Sequence, residues 1–193
     1  MSVRLVAFSG SLRSESYNRR LLGVAAGEAS AAGAHVEVLR LGELELPLFD
    51  EDLERERGLP AGAIRLKRLL AEADGMLVAS PEYNGFPTAA LKNAVDWASR
   101  KASPGEPPLE AFRGKVAGIM AASPGALGGI RGLPHLRSLL AGLGVIVLPE
   151  QHALGNADRK FTDDGRLIDE RDAAAVARIA RRTVEVAAAL SQA

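Results

Sequence analysis

The chain has no cysteine among its 193 residues. Thiol catalysis, disulfides, thiolate zinc sites and iron–sulfur clusters are therefore excluded, and any redox chemistry must come from a bound cofactor. The three histidines, His35, His135 and His152, share no metal-ligand spacing and read as structural residues. No apolar run approaches the ~20 residues of a membrane span. The opening residues, interrupted by Arg4 and Ser9, are too short for a signal-peptide core. No excess of one charge sign exists either: 24 Lys and Arg balance 24 Asp and Glu, so no global field favours nucleic acid or an anionic membrane. The expectation is a soluble cytoplasmic protein. Two phosphate signatures are also missing, the glycine spacing of the dinucleotide fingerprint and the Gly-Lys-Ser/Thr of a P-loop.

What is present is a regular alternation. Apolar, β-branched runs recur at Val3–Ser9, His35–Leu41, Gly75–Ser80, Lys115–Ser123 and Val145–Pro149, most of them near-continuous as in strands covered on both faces. Helical stripes lie between them: Leu21, Ala25 and Ala29; Leu66, Leu69, Leu70 and Ala73; Leu91, Ala94, Val95 and Ala98; Leu136, Leu139, Leu140 and Leu143. A last stripe, through Val176, Ile179, Ala180, Thr183, Ala187 and Leu190, closes the chain. Alternation of this kind predicts a three-layer α/β domain with a five-stranded parallel sheet, one domain over residues 1–193. The irregular stretches are Glu45–Gly62, with its acidic run read as a solvated helix or loop, and Gly155–Leu167.

Five strands in a doubly wound sheet suit the order 2-1-3-4-5, which puts a ligand outside the strand carboxyl ends beside strands one and three. Three loops meet there. In the first, Gly10–Asn18, the hydroxyls of Ser11, Ser14 and Ser16, the Asn18 amide and the Arg13 fork stand at a helix N-terminus, either as a phosphate cradle or as an N-cap with spare serines. In the second, Ser80–Thr88, Pro81 and Tyr83 offer flat surface and Asn84-Gly85 allows close backbone approach, either for a polar-edged heterocycle or as a turn whose Pro87 opens the next helix. In the third, Ser123–Gly132, Ser123 and Gly125 permit close approach and Arg131 is placed to face an anion; a flexible glycine loop is the alternative. Lys92 and Asp96 read as a solvated i,i+4 pair, and Trp97 as core or as a subunit contact. Strand one ends in "AFSGS" without an acidic pair, against a response regulator.

The stretches Gly10–Asn18 and Pro81–Arg100, together with "LPLFDEDLE" and "SPGALGGIRGLPHLR", resemble the NADPH-dependent FMN reductase family of flavodoxin-like quinone, chromate and azo-dye reductases. The resemblance spans nearly the whole chain. It implies that Ser11, Arg13, Ser16 and Asn18 hold the FMN phosphate, that Glu82, Tyr83, Asn84 and Gly85 line the flavin ring, and that Ser123 approaches it. Tyr17, Pro81 and Gly125 complete the expected cofactor-binding set, with no metal and no catalytic side chain, because the chemistry belongs to the FMN. It also implies NADPH or NADH as donor, a quinone or similar acceptor such as chromate, an azo dye or free flavin, and a homodimer or homotetramer; the helix Pro87–Arg100, bearing Trp97, is the candidate contact. One departure is that Pro87 precedes Thr88-Ala89 where many members carry a proline–glycine pair before Leu-Lys-Asn. The alternative is a flavodoxin-type single-electron carrier; a flavin-free regulator is a third class.

Overall fold

The computed structural model describes residues 2–191. Strands β1 (Arg4–Ser9), β2 (His35–Arg40), β3 (Gly75–Ala79), β6 (Val116–Ala122) and β7 (Ile146–Leu154) form a parallel sheet in the order β2-β1-β3-β6-β7. Counted as five sheet strands, this is the expected 2-1-3-4-5. The remaining strands, β4 (Glu82–Tyr83) and β5 (Phe86–Pro87), make a separate antiparallel hairpin.

Period-two alternation divides the core between two helix layers. Leu5 and Ala7 of β1, with Leu77 and Ala79 of β3, pack under α1 (Tyr17–Ala31) and α6 (Glu170–Leu190). Val6 and Phe8, with Met76 and Val78, pack under α3 (Ala61–Glu72), α4 (Ala89–Ser99) and α5 (Gly132–Gly142). Every residue of β3 and β6 is buried, whereas the edge strands β2 and β7 are covered only in part. That difference is why the inner strands are unbroken apolar runs.

Three local features extend or settle what the sequence left open. Strand β7 continues to Leu154, past Pro149, with a register irregularity that takes its pairing from Ala117↔Val147 to Ile119↔Gln151. Pro149 lies in the bulged stretch of an edge strand, where a missing N–H is tolerated. The acidic run does form a helix, α2 (Glu51–Arg57), capped by Asp50 and burying nothing. Trp97 is not on the surface. It is fully buried, its Nε1–H donates to Pro47 O (2.8 Å), and its ring meets Phe49 edge-on at 5.0 Å. It is a core residue and not a surface contact. Lys92 and Asp96 pair as expected, with N–O distances of 2.7 and 2.8 Å at the surface.

Candidate active site

The site begins where β1 ends. Gly10 donates to Ala79 O (2.9 Å), and its carbonyl accepts from Thr88 Oγ1 (2.6 Å). A Cβ at Gly10 would stand 2.8 Å from Ser80 Oγ and 3.0 Å from Thr88 Oγ1, so glycine is what lets the first two loops touch. Thr88 also caps α4, accepting from Leu91 N (3.2 Å); Pro87 belongs to β5 and does not open the helix.

Beyond Gly10 the loop keeps donors in hand. Ser16 caps α1 by accepting from Arg19 N (3.4 Å), and Ser11 Oγ accepts from Arg13 N (3.4 Å). Both serines are buried, yet neither hydroxyl hydrogen has an acceptor among the described residues. The backbone N–H groups of Ser14, Glu15, Tyr17 and Asn18 also lack a protein acceptor among the described residues. The Arg13 guanidinium is exposed and forms no ion pair among them. Buried donors without acceptors are costly, and here they converge at the positive end of a helix.

Asn18 behaves differently. Its side chain donates to Ala122 O (2.7 Å) and accepts from Ala122 N (2.9 Å), both buried. The amide thus ties the first turn of α1 to the last residue of β6, and it is the backbone N–H of Asn18, not its side chain, that is left without a protein acceptor among the described residues.

The second loop is the β4–β5 hairpin. Asn84 (φ 54°) and Gly85 (φ 85°) are its two central residues, both left-handed, as a type I′ turn requires. Asn84-Gly85 therefore first serves to reverse the chain. The turn leaves Tyr83 and Phe86 more than half exposed, and Phe86 stacks on His135 with centroids 3.9 Å apart. At the hairpin's base, Arg131 donates to Glu82 Oε1 through Nε (2.8 Å) and again through Nη2, while Gly132 N donates to Oε2 (3.0 Å). Burial pushes the Glu82 carboxyl up, but the Arg131 and Gly132 hydrogen bonds and the Arg131 charge outweigh it and hold it below the usual carboxylate range. The anion that Arg131 faces is therefore internal, and the clamp locks the second loop to the third.

The third loop is braced by its own hydrogen bonds. Ser123 N donates to Leu154 O (3.1 Å), Gly125 N to Ser123 Oγ (3.1 Å), and Gly125 O accepts from Gly128 N and Asn156 N. Of the expected residues, Ser11, Arg13, Ser16, Tyr17, Asn18, Pro81, Glu82, Tyr83 and Ser123 line one cavity of about 180 Å³, joined by Ala122 and Pro124. Asn84, Gly85 and Gly125 do not line it. Sequence reasoning missed the Glu82–Arg131 clamp, the Thr88 latch and Pro124. Only the Asn-Gly hairpin signal was open to reading. On the far side of the first loop is a larger hollow of about 510 Å³, which shares Ser11 and Ser16 as its wall.

Chemically, the cavity brings unspent donors of the first loop together with a surface bounded by Pro81, Tyr83 and Pro124. Its one carboxylate is already paired, so no side chain stands ready as a base or nucleophile. The family model described as NADPH-dependent FMN reductase matches residues 3–159. The chain belongs to the NADPH-dependent FMN reductase family. Among its relatives in this family is the NAD(P)H-dependent FMN reductase PA1204 of Pseudomonas aeruginosa, 37% identical over 170 residues, covering 88% of this chain and 86% of that protein. The quinone reductase of Escherichia coli K12 is 34% identical over 171 residues, covering 87% and 86%. In structure the chain resembles FerB, a flavoenzyme NAD(P)H:(acceptor) oxidoreductase from Paracoccus denitrificans, with TM-score 0.79 and 27% identity over 97% of this chain and 98% of that one. The FMN reductase fold thus accounts for the sheet order, and the cavity lies where that sheet puts a ligand.

Proposed function

We propose that this chain is an FMN-dependent NAD(P)H oxidoreductase that reduces quinones or similar flat acceptors, the whole chain serving as one FMN-binding domain. The observation that carries the reading is the set of unspent donors on the first loop, opening into a cavity walled by the second and third loops. Such a set fits a terminal phosphate: Ser11 and Ser16 hydroxyls, the Arg13 guanidinium and the N–H groups of Tyr17 and Asn18 would hold it. Pro81, Glu82, Tyr83 and Ser123 would border the flavin ring, with Asn84, Gly85 and Gly125 acting behind them as the turn and the loop brace. When bound, FMN supplies the redox chemistry, taking a hydride from the nicotinamide and passing two electrons with protons to the acceptor.

The chain's own residues bind, orient and shape the opening. Thr88 and Asn18 fix the first loop against the other two, so its donors are set before the cofactor arrives. The Glu82–Arg131 clamp holds the hairpin that carries Tyr83 over the cavity. A cavity of about 180 Å³ is smaller than whole-ligand pockets of ~300 Å³ and above, which leaves part of the ring open to exchange donor and acceptor. Tyr83 borders that opening, and Phe86, Leu127 and Ile130 are exposed on the same hairpin and third loop. We assign their cover to a second copy in a homodimer or homotetramer, and place the protein in the cytoplasm. Among the described residues no helix is long and apolar enough to cross a membrane.

The test is steady-state kinetics of the FMN-loaded protein with NADPH and NADH against a quinone panel. Alternating use of one flavin face gives parallel initial-rate lines. Negligible quinone turnover, with one-electron-reduced flavin accumulating on photoreduction, would refute the reductase and favour an electron carrier.

A further inference from the structure

The two halves of the Glu82–Arg131 pair are unequally placed. Glu82 lines the smaller cavity with its side chain 11% exposed, whereas Arg131 lies outside the lining with its side chain 63% exposed. We propose that Arg131 masks the charge of Glu82, keeping the end of the cavity that borders the flavin ring free of net negative charge so that the ring can take up electrons there. Arg131 is in this sense a positioning residue, acting on the flavin through Glu82. The inference rests on the FMN-dependent reading.

The carboxylate is inside because the hairpin docks through it. Arg131 occupies the N-cap position of α5 but makes no capping bond with its own side chain. The cap comes from the hairpin instead, Glu82 Oε2 accepting from Gly132 N (3.0 Å). A Cβ at Gly132 would stand 3.0 Å from Glu82 Cβ, so glycine lets the hairpin come this close. The cost of this docking is a carboxylate in the cavity wall. Among the described residues only Arg13 and Glu82 line the cavity with charged side chains, and Arg13 stands on the first loop, where it is assigned to the phosphate. Nothing in the wall at the ring end therefore offsets Glu82. Arg131 does so from outside, donating Nε (2.8 Å) and Nη2 to Oε1.

Fold stability alone does not call for this arginine. An ion pair with so exposed a cation contributes little to folding, and the hairpin is already held by the Gly132 bond and by Phe86 stacked on His135. Redox chemistry does call for it. A hydride from the nicotinamide brings two electrons and one proton, so the flavin ring gains one negative charge. A bare carboxylate at the border of the ring opposes that charge, and one paired with a guanidinium does not.

The test is the midpoint potential of the flavin-loaded protein, titrated spectroelectrochemically at about pH 8, well above the carboxylate range. Arg131→Gln keeps a polar group and loses the charge; it should disfavour the reduced flavin about tenfold, a fall of about 30 mV for a two-electron couple. Arg131→Lys, which retains the charge, should stay near the wild type. The double variant Arg131→Gln, Glu82→Gln should return to the wild-type value, because the charge to be masked is gone. Loosening of the hairpin predicts the opposite, since the double variant is at least as loose as the single one. In the FMN-free protein, burial raises the Glu82 carboxyl and its bonds to Arg131 and Gly132 lower it, so Arg131→Gln should move its titration upward by NMR of the carboxyl carbon. An unmoved potential or titration in Arg131→Gln, a lysine variant that falls as far, or a double variant as low as the single one overturns the mask. A wild type that takes up no FMN overturns it together with the FMN-dependent reading. One that takes up FMN and gives these potentials, but oxidises neither nicotinamide nucleotide, upholds the mask and refutes only the oxidoreductase reading.

Discussion

Replacing Asn18 by alanine should lower the stability of the apoprotein and loosen the cofactor cradle together. The side chain makes two buried bonds to one residue, donating to Ala122 O (2.7 Å) and accepting from Ala122 N (2.9 Å). Truncation leaves both backbone groups of Ala122 unpaired, and each buried orphan costs about 1–3 kcal/mol. Ala122 and Asn18 line the cavity, so water can reach at least one of the two, which puts the expected loss at about 2–3 kcal/mol. For a chain of this length that lowers Tm by roughly 4–12 °C. Urea unfolding of the FMN-free protein gives the number directly. Asn18→Asp keeps an acceptor for Ala122 N but sets a carboxylate oxygen against Ala122 O, so it should not restore the wild-type midpoint. FMN affinity should drop with stability in both variants, since the first and third loops are no longer tied. An Asn18→Ala apoprotein within about 0.5 kcal/mol of the wild type would refute the bracing role, because changes that small are what neutral surface substitutions produce.

Arg13→Ala should do the reverse, weakening FMN binding tenfold to a hundredfold while the apoprotein melts as before, because the guanidinium is exposed and unpaired among the described residues; unchanged affinity by fluorescence titration would remove it from the phosphate site. Gly10→Ala places a Cβ 2.8 Å from Ser80 Oγ and 3.0 Å from Thr88 Oγ1, so it should cost about 1–3 kcal/mol and reduce bound flavin; a holoprotein of normal Tm and flavin content would contradict the close approach. His152, on β7, lies 3.2 Å from Asp172, yet burial outweighs that carboxylate and lowers its pKa below the ordinary 6.5. The neutral ring is therefore favoured on folding, and its contribution is intact above pH 6.5 and lost as pH falls below it. His152→Gln should flatten the decline of urea midpoints with falling pH in that range, and an identical decline in both proteins would refute the assignment.

The strands were legible because burial on both faces leaves a mark in composition. Val6, Ala7 and Phe8, or Met76, Leu77 and Val78, are unbroken because α1 and α6 cover one side and α3, α4 and α5 the other. Where cover is partial the mark fades. Strand β7 buries only Leu148 and Leu154 and carries Pro149, so its continuation to Leu154 reads as the end of a strand until its pairing with β6 is seen. Helix α2 has no buried residue, and its only signal was the Asp50 cap before acidic residues. Trp97 was ambiguous for a related reason: on an amphipathic helix its stripe is apolar in either case, and only Pro47 O and Phe49, brought over by the long connection, show which surface it meets.

The location of the site followed from the position of three unusual loops after strands one, three and four, but the duties of their residues did not. Asn18 and Arg13 stand in one short loop with similar donor chemistry. The Asn18 side chain is already bonded to the backbone of a residue 104 positions away, and the Arg13 guanidinium has no partner among the described residues. Arg131 shows the same limit: a cation in a glycine-rich loop suggests an external anion, yet its partner is Glu82, 49 residues earlier. A residue type specifies what can be donated, while the fold decides whether the donor is already spent. By that criterion the proposed cradle comprises Ser11, Ser16, Arg13 and the open N–H groups of α1, and Asn18, Thr88, Glu82 and Arg131 form the frame around it. The frame is made of bonds complete without any ligand, so cofactor loss should leave the three loops in register.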